Sequence, residues 1–112
     1  MTIVSNDRKG GYATLRFEAN TTQTLSGLNN NDTVIGARVV QAWWHTDGVW
    51  SISRGGNTVF QGESSGFADF QSNGLRIERT DEEDLDITVG NSGTGGILIL
   101  KVNKESDYDW EY

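Results

Sequence analysis

The sequence predicts an all-β fold: a single antiparallel β-sandwich or jelly roll of about eight short strands, with little or no helix. Three observations carry this expectation. Apolar and polar residues alternate with period two over residues 12–18 and again over 75–89, the pattern of half-buried strands. Clusters of Gly, Asn and Asp punctuate the chain at short intervals, with 14 Gly and no Pro to supply the turns. No window holds a sustained 3.6-residue period.

Taken in order, residues 1–11 begin with Ile3-Val4 and become basic at Arg8-Lys9, an N-terminal arm or short edge strand ending at Gly10-Gly11. A domain over residues 12–104 follows. Its first strand, residues 12–18, puts Ala13, Leu15 and Phe17 on one face and Thr14, Arg16 and Glu18 on the other. Residues 22–25 suit a short strand, and residues 29–32, Asn-Asn-Asn-Asp, a turn. Residues 34–45 form the longest strand candidate, apolar on both faces: Ile35, Ala37, Val39 and Trp43 against Val34, Val40, Ala42 and Trp44. Such a strand is central in a layered structure or packed on a partner. Asp47-Gly48 then reads as a hairpin turn and Gly55-Gly56-Asn57 as a second, because Gly readily adopts the positive φ that tight turns require. Residues 39–62 thus predict a three-stranded meander carrying Trp43, Trp44 and Trp50.

Beyond the meander, residues 62–66 read as a loop, residues 67–70 as a short aromatic strand or bend, and residues 74–79 as a strand. Residues 80–84 are an acidic turn, Leu85, Ile87 and Val89 mark another strand, and residues 91–96 form a glycine-rich loop. Residues 97–102, apolar except for Lys101, have the pattern of a central strand. The expected core is Leu15, Phe17, Val39, Trp50, Ile52, Ile77, Ile87, Ile97 and Ile99. Residues 105–112 form an expected C-terminal arm in which Glu105, Asp107, Asp109 and Glu111 alternate with Ser106, Tyr108, Trp110 and Tyr112.

Composition narrows the chemistry. A chain of 112 residues suits one domain that buries a real core. Without Cys it has no disulfide, thiolate nucleophile or thiolate metal site. A formal net charge of −7 with scattered Lys and Arg argues against binding nucleic acid. No segment has the length and apolarity of a membrane span, and the first residues lack the apolar core of a signal peptide.

The candidate catalytic and metal motifs are outweighed by plainer readings. His45, the only histidine, stands near Asp47, Ser51 and Ser53, but a Ser-His-Asp site is a matter of geometry, and no nucleophile elbow is present. The acidic run Asp81, Glu82, Glu83, Asp84 and Asp86 offers oxygen ligands without EF-hand spacing and reads as a solvated turn. Nothing marks any carboxylate pair for glycosidase chemistry. Residues 93–96, Gly-Thr-Gly-Gly, lack the Lys-Ser/Thr of a phosphate loop and precede a strand. No catalytic, cofactor or metal residue is therefore assigned.

Partner binding is the better-marked alternative. Adjacent Trp43 and Trp44 point to opposite faces of a strand, so at most one lies in a single core. The other serves a second layer, a partner or a sugar ligand. Tyr108, Trp110 and Tyr112 give the arm an aromatic face, with residue types that dominate interface hot spots.

The pattern W-x-x-x-G-x-W-x-I-x-R-G-G-N, from Trp44 to Asn57, resembles small virion structural proteins of tailed, particularly marine, bacteriophages. So do Gly66, Asp69 and Phe70, and residues 97–104. The resemblance implies a non-enzymatic capsid decoration or cement protein that binds between major capsid subunits, with a tail or fibre position as another place in the virion. It further implies assembly in the host cytoplasm, a partner in the major capsid protein or another virion protein, and a homo-oligomer as one possible form. A carbohydrate-binding module using exposed tryptophans is the alternative, and a small hydrolase centred on His45 a third.

Overall fold

One strand forms the spine of the molecule. The computed structural model describes residues 1–7, 11–24, 26–30, 33–54, 57–70, 75–78 and 87–107. Within them lie β1 (Thr2–Asn6), β2 (Tyr12–Phe17), β3 (Thr21–Gln23), a 3-10 turn (Ser26–Leu28), β4 (Thr33–Arg54), β5 (Asn57–Asp69), β6 (Leu75–Glu78), β7 (Ile87–Asn91) and β8 (Gly96–Asp107). All pairings are antiparallel, and β4 takes part in four of them.

Register shows how four strands share β4. Trp43 stands opposite both Phe67 of β5 and Ile99 of β8, so these two lie on opposite edges. Ala37 is likewise flanked by β6 and β8, and Trp50 by β5 and β7. One edge of β4 therefore pairs first with β8 and then with β7, and the other with β6 and β5. The sheet continues outward as β8-β2-β1 from the first half of β4 and as β7-β3 from the second. The all-β antiparallel class holds. The strands form one continuous sheet that curls into a half-barrel, in place of two separately paired layers.

The core follows from cross-strand alignment on the inner face. Phe17, Leu98 and Trp44 form one row, Leu15, Leu100 and Ala42 the next, and Ala13, Val102 and Val39 a third. All but the half-buried Trp44 are fully buried. Val34 and Leu28 extend this cluster, and Trp50, Ile52, Ile87 and Val89 complete it from the other half of the curl. Burying each such side chain contributes about 1.5–3 kcal/mol. Leu15, Phe17, Val39, Trp50, Ile52 and Ile87 thus lie where the sequence placed them. Ile97 and Ile99 do not. Leu98, Leu100 and Val102 take the inner positions of β8, and the intervening isoleucines face outward, half-buried. Ile77 has its side chain outside the described set.

The meander expectation requires the largest correction. Asp47-Gly48 makes no hairpin turn: β4 runs through it for 22 residues. On the β5 side, His45 pairs with Ser65 and Val49 with Glu63, so Thr46, Asp47 and Gly48 oppose Ser64 alone. This bulge bends the strand where its other edge passes from β8 to β7. Ser64 answers with a left-handed backbone, φ +57°. Gly48 serves close approach here, because a Cβ on it would sit 2.3 Å from the Gly93 amide nitrogen. β4 pairs with β5 to its very end, where Arg54 stands opposite Asn57.

β5 also absorbs the expected loop at residues 62–66, running unbroken to Asp69. Gly62 and Gly66 stay in the strand because the Trp44 indole lies over them, 2.7 and 2.4 Å from where their Cβ atoms would be. A second bulge, at Val40, lets β4 bury both Val39 and Val40 and reverses the alternation beyond it. Val39 consequently faces the core while Trp43 faces out, although simple alternation puts them together. β1 is an edge strand on β2, as expected. β8 includes the first three residues of the expected arm, pairing Glu105, Ser106 and Asp107 with the start of β4. Residues 108–112 and the acidic run 81–86 lie outside the described residues.

Candidate functional site

The face turned away from the core carries the candidate site. Its rows interleave with those of the core: Arg16, Ile99, Trp43 and Phe67 align across β2, β8, β4 and β5, and Thr14, Lys101, Gln41 and Asp69 align beside them. Trp43 is 38% exposed and Phe67 51%, large values for aromatic side chains inside a regular sheet. Their rings lie 5.1 Å apart, tilted by 38°. Thr14, Trp43, Ile99 and Lys101 line a shallow depression of about 410 Å³ beside this pair.

Basic groups border the apolar patch on the β2 side. The Lys101 ammonium lies 4.7 Å from the centre of the exposed Tyr12 ring, a cation–π contact. Arg16 pairs with Glu18 at 2.8 Å, both side chains being largely solvated. The next row along the sheet carries His45, whose Nδ1 shares a 2.7 Å hydrogen bond with the Ser65 hydroxyl.

The pair of tryptophans divides as strand geometry requires. Trp43 is the outward member. Trp44 packs against Phe60, edge to face with centroids 5.3 Å apart, and its Nε1 donates to the Glu63 carbonyl at 2.9 Å. Trp44 is thereby a packing residue of the β4–β5 ladder. Tyr108, Trp110 and Tyr112 lie outside the described residues.

No catalytic constellation gathers around His45 among the described residues. The hydroxyls of Ser51 and Ser53 donate to the carbonyls of Gly90 and Thr88 on β7. The Asp47 carboxylate instead accepts hydrogen bonds from the Thr94 hydroxyl at 2.5 Å, the Thr94 amide at 2.9 Å and the Gly95 amide at 3.3 Å. These contacts, the Thr94 hydroxyl foremost, hold its pKa below the ordinary carboxylate value. Asp47 thus anchors the loop between β7 and β8. Among the described residues no three His, Cys, Asp or Glu side chains are grouped to hold a metal ion.

The sequence marked Trp43 and Trp44 together without deciding which faces out, and did not mark Phe67, Ile99 and Lys101 as neighbours of Trp43. One signal was present. Lys101 marks the outward phase of β8, and period two then turns Ile97 and Ile99 the same way. No protein family, characterised protein or solved structure matches the chain.

Proposed function

We propose that the chain is a non-enzymatic structural protein of a bacteriophage virion, a capsid decoration or cement protein that binds between major capsid subunits. The face around Trp43 is the surface it offers to a neighbouring protein of the particle. The observation behind this proposal is the exposed Trp43–Phe67 pair with Ile99, held on three paired strands. Rigid aromatic side chains lose little conformational entropy on docking and commonly anchor interfaces, while the charged groups around them form a polar rim. The virion assignment itself draws on the resemblance carried by residues 44–57.

Carbohydrate binding is the second reading, and the same exposed indole favours it. Two features weigh toward a protein partner instead. The 38° tilt breaks the flat strip along which a sugar chain stacks. The lining of the depression is mostly apolar, with Trp43 and Ile99 beside Thr14 and Lys101. Mass spectrometry of purified virions tests the proposal: the chain should be found in stoichiometric proportion to the major capsid protein. Its absence from intact particles, or glycan binding abolished by Trp43→Ala, would overturn it.

A further inference from the structure

We infer that the occupant of the Trp43 face is a second copy of this chain, engaged through the segment Tyr108-Asp109-Trp110-Glu111-Tyr112. The inference rests on the reading of that face as a protein interface and names its partner.

Two lines of argument lead to it. The first is chemical. The chain is acidic overall, with a net charge of −7, yet the β2–β8 side of this face presents the Lys101 ammonium over the Tyr12 ring, and Arg16 already paired with Glu18, around Ile99 and Trp43. A well-matched ligand alternates large aromatic groups with carboxylates. Residues 108–112 do so, with Asp109 and Glu111 set between Tyr108, Trp110 and Tyr112. Trp and Tyr supply broad contact area at low entropic cost, and a carboxylate suits the Lys101 ammonium of the rim.

The second line is reach. β8 runs from Ile99, opposite Trp43, to Asp107, opposite Thr33. Those eight steps of strand cover about 26 Å. Trp110 lies three residues beyond Asp107, and a fully extended chain gains at most about 3.6 Å per residue, roughly 11 Å in all. A molecule's own Trp110 therefore falls short of its own Trp43–Phe67 pair, even allowing for the length of the indole. The same segment of a neighbouring copy meets no such limit. An interface of this kind joins different patches of the two copies, so it propagates into rings or chains, which suits a protein that tiles a surface.

Complementation tests the inference. Two variants are prepared: the chain truncated after Asp107, which keeps the face and lacks the segment, and full-length Trp43→Ser, which keeps the segment and loses the face. Circular dichroism first establishes that each is folded, with Phe67→Ser replacing Trp43→Ser if it is not. In sedimentation velocity the wild-type chain should self-associate with rising concentration, each variant alone should remain monomeric, and their mixture should form heterodimers. A fluorescent peptide of residues 105–112 should bind the truncated chain at least about tenfold more tightly than it binds the truncated chain carrying Trp43→Ser, and more weakly as salt rises. A wild-type chain that stays monomeric, or a truncated chain that associates as well as the full one, overturns the inference. If the chain is monomeric yet decorates virions through Trp43, the inference fails while the proposed function stands.

Discussion

Asp47 is exposed to solvent, yet its carboxylate gathers two backbone amides and a hydroxyl from a loop distant in sequence. Its pKa lies below the ordinary 3.8, so it contributes stability that is present above that value and lost as pH falls through the lower folded-state value. Asp47→Asn should melt below the wild type at neutral pH, with the gap closing as pH drops below 3.8. A gap that is constant from pH 7 to 2 would count against this role. Ser64 makes a second residue-scale case. Its φ of +57° is a conformation that side chains bearing a Cβ occupy at a cost of about 1–3 kcal/mol. Ser64→Gly should be neutral or stabilising in denaturant melts, and the β-branched Ser64→Val destabilising by about 1 kcal/mol or more. Equal stability of the two variants would show that the bulge tolerates any residue there.

At the scale of elements, β4 joins the two halves of the core, so damage within it spreads. Ile52 is fully buried and stands opposite Val89 on one edge and Phe60 on the other. Ile52→Ala should cost about 2–5 kcal/mol in urea unfolding, and a loss below about 0.5 kcal/mol would mean that the cavity collapses. β8 shows how an element overrides the habits of its residues. Inner-face parity carries Lys104 to 2% exposure. Its ammonium donates to the carbonyls of Asp7, beside β1, and Leu28, in the 3-10 turn, the latter at 3.2 Å. Lys104→Met should cost about 1–3 kcal/mol, because it strips these acceptors of a charged donor. A neutral result in the same melts would mean that other donors or water replace it.

For the whole molecule, a curled sheet organised on one long strand is built mainly from contacts between residues far apart in sequence. Its far-UV circular dichroism should lack strong helical minima. Refolding should be slow for its size, in milliseconds to seconds, because β2, β4 and β8 must find one another across large sequence separations before the inner rows can pack. Stopped-flow tryptophan fluorescence, to which the buried Trp50 contributes, reads this directly, and microsecond folding would contradict it. The Trp43 face is also a property of the whole sheet, since four strands separated in sequence must align before Arg16, Ile99, Trp43 and Phe67 share a row.

The sequence by itself determined the strand character of the chain, the all-β class and most of the core, because period-two alternation is local and each residue of β2 carries its own evidence of which way it faces. It also showed that the two neighbouring tryptophans part company, since adjacent strand residues point to opposite faces. Tertiary structure decided the rest. The Val40 bulge inverted the alternation downstream, so the outward tryptophan was settled by pairing with β8. Asp47-Gly48 fits a tight turn or a close approach equally well. The approach of Gly93 and the convergence of Thr94 and Gly95 on the Asp47 carboxylate selected the second. Lys104 reads as a surface residue until distant carbonyls arrive to satisfy it. In each case the local sequence permitted two conformations, and a long-range contact supplied the free energy that chose between them.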